Sequence, residues 1–432
     1  MLTFFAVGWS ISFGTPSYCG LIGKIQVYNM QRSGLSSDPF FHESIICCMA
    51  VGISSQSLTE RANLRVFPCY AILNTLSYCI VLHWVSNKQG ILQHYFNMAK
   101  PEENNILHIF SGVAGLVGTI LVGPRQAWLL SRMKNAHILG TPYFTIIGLI
   151  FVWWGWRSMH SDVIMRGTVS YENYVSRCTT STMLAFASGI LSAFLFSIIL
   201  HNKRVEIKYI VTGGMGSLIC ISGQCSYFYT HEVLIIGVSG SLSSLLALKL
   251  FYYLKIDDPV GGISANLCGG ILASINIAIF SHKLQNKRDD GLLHGGSVIY
   301  LCHRIMFIAV VIAWAITSTC ICLGLLKKLL KYNIEQIPSI LGADLIDHNI
   351  GGMHDSKTGE VHYLSGKVVN YSCWPNNIPL ETLNEFNKNK FSAFPHKSHL
   401  KKSINISSLL LEKQPVFENL FTKMNMITSA QS

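Results

Sequence analysis

Of the 432 residues, 50% are hydrophobic and 13% are charged, about half the charged share of an ordinary soluble domain at roughly 25%. Such a chain cannot clothe a water-exposed surface and reads as a membrane protein. Its net charge of +11 lies in short loops and in the C-terminal region without an aromatic-interleaved basic face, which points to a membrane surface rather than nucleic acid. The 13 cysteines fall mostly inside apolar runs without metal or disulfide spacing. No HExxH or GxSxG arrangement occurs, so neither a metal, a cofactor nor an enzymatic activity is expected.

A hydrocarbon core about 30 Å thick requires about 20 apolar residues per helix, and lipid offers backbone groups no partners, so runs of this length must be helical. The fold class is therefore all-α and polytopic. Residues 1–14 are apolar but too short to cross alone and lack the basic start and cleavage site of a signal peptide; they read as the back half of a helix whose front is missing. Nine further spans are expected near 39–58, 65–86, 106–123, 140–157, 179–200, 208–228, 233–254, 261–281 and 299–327. The loops at 60–65, 125–137 and 201–208 are short and dense in Lys and Arg, which the positive-inside rule assigns to the cytosol together with the C-terminus. The membrane domain is expected over 1–327. Residues 328–432 turn to Asn, Lys, Ser and His and are expected to form a mostly disordered cytosolic tail. Two glycosylation patterns, Asn370-Tyr371-Ser372 and Asn405-Ile406-Ser407, would be silent there, and its lysines are either solvated or held against anionic lipid at about 1 kcal/mol each.

Ionisable and polar residues inside spans are expensive and mark candidate sites. His108 lies near the start of a span whose small residues at 111, 112, 114, 115 and 118 let helices approach closely. Its imidazole could exchange a proton near neutral pH or simply satisfy an interhelical hydrogen bond. Asp257-Asp258-Pro259 opens another glycine-rich span, where acids suit a helix N-terminus and Pro the first turn; capping accounts for them without a functional role. Asn266 lies eight residues beyond Asp258, deeper in the bilayer. Trp153-Trp154-Gly155-Trp156 and His83-Trp84 each close a span and read as interfacial belts.

Several blocks, in order, resemble those of the ammonium transporter family (Amt/Mep/Rh), Amt branch, from residue 1 to about 352. Val7 to Gly14 is similar to GYxLAFG, Leu58-Thr59-Glu60-Arg61 to (A/G)xxAER, and His108 to Arg125 to VHxxgGxAGLVGAxxLGPR. Trp154-Gly155-Trp156 resembles WxGW, and Asp257 to Gly270 resembles DDPxxxxxvHgxxGiwG. Ile312-Ala313-Trp314 and Gly342 to His348 are similar to the last span and its tail signature. The resemblance implies two inverted five-helix repeats, here without the first helix, and a trimer with one pore in each protomer. It also implies ammonium recruited at an outer aromatic and hydroxyl site, deprotonated, and passed as ammonia along a pore lined by two histidines.

Position by position, His108 matches the first pore histidine and Asn266 stands where the second should be. Ile46 and Met159 take the places of the two gate phenylalanines. In the recruiting vestibule Ser86 replaces the cage tryptophan, Val163 the ammonium-binding serine and Lys100 the acid eight residues before His108, with Glu102 or Glu103 as shifted substitutes. Asp258 matches the equivalent acid of the second repeat and is expected to join the vestibule. An amide cannot take up a proton in this range, and a cage without rings loses its cation-π attraction. The expected function is low-affinity transport of ammonium, ammonia or methylammonium across the plasma membrane by a homotrimer. The alternative is a non-transporting sensor or a regulatory partner in a mixed trimer with a paralogue.

Overall fold

The computed structural model describes residues 1–17, 21–24, 37–59, 61–96, 103–125, 128, 142–161, 171–223, 225–282 and 290–330, with the backbone alone at 16–17, 37–39, 95, 103, 142, 157–161 and 171–174. The chain divides into two units, Met1–Ile340 and Leu341–Ser432. The expected tail lies outside the described residues from 331 on, with 328–330 still helical, and so do both glycosylation patterns.

In chain order the elements are α1 (Phe4–Phe13), whose first turns to Gly8 are π-helical, and a short antiparallel pair, β1 (Pro16–Ser17) and β2 (Ile22–Gly23). There follow α2 (Ser37–Ser55), α3 (Val66–Ser86), the short α4 (Ile91–Phe96), α5 (Glu103–Val122), α6 (Pro142–Ser161) and α7 (Tyr171–Leu200). The remainder are α8 (Ile207–Ile221), α9 (Thr230–Tyr253), α10 (Gly262–Phe280) and α11 (Val298–Leu330).

The protein is an all-α multi-pass membrane protein. Among the described residues six helices, all or part of α3, α5, α7, α9, α10 and α11, are long and apolar enough to cross a membrane. Of the nine spans expected from hydropathy, those near 39–58, 140–157 and 208–228 appear among the described residues as shorter apolar helices, Phe40–Ser55, Tyr143–Trp156 and Ile207–Ile221, and the opening fragment as Phe4–Phe13. The expected span 208–228 shows why. Its helix stops at Ile221, and a tight 3-10 turn, Cys225–Tyr227, follows the break at Ser222 and Gly223.

Helix ends follow local chemistry. At α9, Glu232 Oε2 accepts the backbone N–H of Tyr229 at 2.8 Å as half of a capping box. At α10, Asp258 Oδ2 accepts the N–H of Ser264 at 2.9 Å, and Gly261 takes a left-handed φ of 75° that a side chain would strain. Pro259 therefore lies ahead of the helix and not in its first turn, as the sequence had implied.

Two groups of helices result. α7, α8 and α9 pack on one another, while α5 packs on α2 and α11, and α3 on α1, α2 and α11. α10 touches both groups, reaching α8 and α9 on one side and α5 and α11 on the other. The principal apolar core lies in the second group and includes Ile46, Tyr78, Cys79, Leu107, Ile109, Phe110 and Phe307. Burying such a side chain contributes about 1.5 to 3 kcal/mol, although in lipid it is close packing, not escape from water, that holds helices together.

Candidate functional site

α5 and α10 run antiparallel and touch through glycine. A Cβ at Gly112 would lie 2.5 Å from the backbone nitrogen of Leu267, and one at Gly270 would lie 2.9 Å from His108 Cβ. No side chain fits at either contact, so the two backbones meet directly. This crossing carries His108 on α5 to Asn266 on α10, with His108 Nδ1 2.8 Å from Asn266 Oδ1.

Asn266 Nδ2 donates to the carbonyl of Gly262 at 2.7 Å, which leaves Oδ1 as the atom facing the imidazole. The bond then requires the proton on His108 Nδ1, and a neutral ring carries its lone pair on Nε2. That Nε2 is buried and has no hydrogen-bond partner among the described residues. Trp156 stacks on the imidazole at 5.3 Å between centroids and 16° between planes, and its own Nε1 is buried without a described partner. The crossing thus holds an acceptor and a donor inside the protein, both unsatisfied, where such groups ordinarily are paired.

The belt reading of Trp156 is corrected by this geometry: at 4% exposure it is an interior residue, whereas Trp154, two positions earlier, is 63% exposed. The aromatic run follows a helix and not a plane, so neighbouring positions face opposite ways. His83 is likewise buried, its Nδ1 2.9 Å from the carbonyl oxygen of Ser12, while Trp84 Nε1 donates to Leu21 O at 2.7 Å. His83 is therefore an interior residue and not a simple belt residue.

The acids near α10 belong to a different place. Asp257 is fully buried and receives Arg125 in two-pronged fashion, Nε to Oδ2 at 2.7 Å and Nη2 to Oδ1 at 3.1 Å. Arg61 Nη2 adds an ion pair at 2.9 Å to the same carboxylate, while its Nη1 donates to the carbonyls of Gln56 and Ser57 just past α2. Burial alone would raise the Asp257 pKa, but the Arg125 and Arg61 guanidiniums outweigh it and hold the carboxyl below its ordinary value. Lys208 Nζ donates to the carbonyl of Asp258 at 2.7 Å. Arg61, Arg125 and Lys208, from three separate basic loops, therefore converge on one corner, which places those loops on one face of the protein.

The remaining site positions separate by end. α3 starts just after Arg61 and ends at Ser86, a run of 21 residues that spans about 30 Å at 1.5 Å per residue. Ser86 and Asp258 thus sit at opposite ends, and Asp258 does not join the vestibule expected from the sequence. Its Oδ2 caps α10 instead, because the helix N-terminus presents free N–H groups there. Ile46 is buried in the core cluster that also holds Leu107 and Ile109, the neighbours of His108. Ser86 is buried with no described partner for its hydroxyl. Lys100 and Val163 lie outside the described residues, as does the side chain of Met159.

Sequence reasoning missed two residues of the crossing. Trp156 was visible as part of an aromatic run and of the WxGW-like block, without a sign that it faces His108. Asn105, one turn before His108 and fully buried, was visible as an amide at i−3 from the histidine.

A model of the Ammonium Transporter Family matches residues 1–353. Putative ammonium transporter 2 of Caenorhabditis elegans is 26% identical over 340 residues, covering 75% of this chain and 64% of the relative. Putative ammonium transporter 3 of the same organism is 24% identical, covering 75% of this chain and 47% of the relative. The chain thus spans under two thirds of the length of both nematode proteins. In structure it is similar to a sensor Amt protein, with a TM-score of 0.68 at 22% identity over 80% of this chain and 86% of the other. It is also similar to Saccharomyces cerevisiae Mep2, with a TM-score of 0.67 at 21% identity over 77% of each. These likenesses concern the fold.

Proposed function

Because the chain belongs to the ammonium transporter family, we propose that it passes ammonia, drawn from ammonium or methylammonium, through the α5–α10 crossing of each protomer with low affinity. The single observation that carries this reading is the buried His108 Nε2, an imidazole lone pair fixed by Asn266 and unpaired inside the protein. Such an atom can accept an N–H from ammonia, or a proton from ammonium, without any other group having to leave it.

Asn266 supports one part of the family chemistry and removes another. It orients His108, but it cannot accept a proton, so His108 alone of the pair is available for proton exchange. The low affinity follows from the expected recruiting positions. A desolvated cation gains about 2 kcal/mol or more from a ring face, and neither Ile46 nor Ser86 supplies one. In this reading Ile46 and Met159 form the outer constriction, Ser86, Val163 and Lys100 the mouth, and Asp258 serves only as a helix cap. The protomers form a trimer in the plasma membrane, with the face bearing Arg61, Arg125 and Lys208 in the cytosol.

The test is uptake of labelled methylammonium by cells that lack ammonium transporters, comparing this chain with His108→Ala at matched membrane amounts. Removing one buried hydrogen-bonding group corresponds to about 1 to 3 kcal/mol, so uptake is expected to fall about tenfold or more. Equal uptake by the two proteins contradicts the reading.

A second reading is favoured by the same pair. The His108–Asn266 bond and the stacked Trp156 close the crossing, and the pair lacks a second proton acceptor, as a non-transporting sensor or a regulatory partner in a mixed trimer would allow. It predicts no uptake by this chain alone and co-purification with a full-length paralogue; uptake by the chain alone rules it out.

A further inference from the structure

The end of α10 farthest from the Asp257 corner lies about 28 Å away along its 19 residues. There histidines and carboxylates gather around Tyr229. His282 follows α10, His294 closes the short turn Leu292–His294 before α11, and Tyr229, His231 and Glu232 open α9. The Tyr229 ring stacks on His231 at 5.9 Å and 7°, and meets His282 at 5.5 Å and His294 at 5.3 Å edge to face. The imidazoles of His282 and His294 stack on each other at 5.4 Å and 23°.

Each imidazole has its own carboxylate. Glu232 Oε1 lies 2.7 Å from His294 Nε2, while its Oε2 accepts the Tyr229 N–H of the α9 cap. Asp290 Oδ1 lies 4.0 Å from His282 Nδ1, a buried nitrogen without a hydrogen-bond partner among the described residues. Both acids are buried, whereas the side chains of His294 and His282 are 21% and 36% exposed. Protons from the medium therefore reach the rings while the carboxylates stay beneath them. The backbone fixes the frame: the His282 N–H donates to Tyr227 O at 2.8 Å, that of Gly291 to Ser281 O at 2.7 Å and that of His294 to Gly291 O at 2.9 Å. The next titratable groups along the chain are on α11, where Arg304 Nη2 donates to the Tyr300 hydroxyl at 2.6 Å beside a partly exposed His303.

We propose that the pairs Glu232–His294 and Asp290–His282 form a pH-sensitive latch, which fastens the segment before α11 to the ends of α9 and α10 in acid and loosens it as pH rises. Imidazoles change charge between about pH 5 and 8, and a charged ring is held more strongly by a carboxylate than a neutral one. Two stacked imidazoliums repel, so both rings charge only if each is matched, and the two carboxylates supply that match. The contribution of the charged pairs is present below the imidazole range and is lost as pH rises through it. The effect is a local opening and not global unfolding. In the orientation proposed above the latch meets the outside medium; its existence does not depend on that orientation or on transport.

The experiment is amide hydrogen exchange on the full chain, purified from membranes, at pH 5.5 and pH 8, with each rate divided by the intrinsic rate at that pH. The amides read are those of Gly291 and His294, which carry the loop hydrogen bonds. Their protection in the parent is expected to be about fivefold greater at pH 5.5, the sum of two partly exposed ion pairs. Glu232→Gln keeps the α9 cap, since Gln serves at that position of a capping box, and Asp290→Asn keeps the size of its side chain. Each single variant is expected to retain about a twofold change and the double variant none. A parent equally protected at the two pH values overturns the proposal, and so does a double variant that responds as the parent does. If the double variant does not fold, the single variants decide: a full parental response in both overturns the latch, and a halved response in each supports it.

Discussion

The two polar regions of the membrane domain solve opposite problems. At the Asp257 corner a fully buried carboxylate meets two guanidiniums, and both of its oxygens receive donors from Arg125 while Arg61 pairs with one of them. At the α5–α10 crossing every group is uncharged or readily so, and His108 Nε2, Trp156 Nε1 and the Asn105 amide are left without described partners. The matched carboxylate joins loops, with Arg61 Nε and Asp258 Oδ1 nearby left without described partners; at the crossing the atoms without described partners belong to neutral groups. The difference separates structure from function more clearly than residue type does, because both regions contain the ionisable residues that mark sites in membranes.

The largest effect is expected from breaking the compensated region. Asp257→Ala removes the carboxylate that Arg61 and Arg125 share, and loss of one partner from a buried ion pair costs about 3 to 5 kcal/mol. The protein should then be recovered in low yield with a markedly reduced melting temperature, measured by thermal denaturation in detergent. A variant as stable as the parent would mean that the corner is dispensable. Next comes Gly112→Ala, whose new methyl group meets the Leu267 backbone. The expected cost is about 1 to 3 kcal/mol, typical of overpacking, and the His108–Asn266 contact should separate, as read from the map of the variant.

The same comparison predicts a pH dependence confined to the charged corner. The folded Asp257 pKa lies below its ordinary value of 3.8, so its contribution to stability is complete above that value and is lost as pH falls through the folded pKa. Melting temperature should therefore hold from neutral pH down to about 5 and drop below about 4, with the Asp257-dependent part of the drop missing in any folded Asp257→Asn variant. The smallest effect is expected at Ser86→Ala. An exchange that removes a buried hydroxyl without a described partner should change stability by less than about 1 kcal/mol, checked by the same denaturation.

Much of the fold was legible in the amino-acid order. The stretches ending at Ser86, Val122, Leu200 and Phe280 are continuous apolar runs, and lipid leaves them no conformation but helix. The break after Ile221 was legible only as the short polar run Ser222-Gly223-Gln224, which a window of span length absorbs between Ile221 and the residues that follow. His108 and Asn266 could be paired from their motif positions, and glycines at 112 and 270 explain why two helices come close enough for them to bond. Trp156 was misread because an interfacial tryptophan and an interior one look alike until the helix phase is known. Asp258 was misplaced because a matching motif says which helix an acid precedes, but not which end of the bundle that helix starts from. Arg61 and Arg125 appeared only as loop charges; their meeting at Asp257 joins positions that are 196 and 132 residues from it in the chain, beyond the reach of any local pattern.

The most direct test of the central claim, that the α5–α10 crossing is a path for ammonia, is internal alkalinisation of vesicles containing the purified chain and a trapped pH-sensitive dye, after an imposed ammonium gradient. The expected result is a faster rise in internal pH than in protein-free vesicles, with the increment lost in a folded His108→Ala variant. A parent no faster than protein-free vesicles, or a His108→Ala protein as fast as the parent, contradicts it.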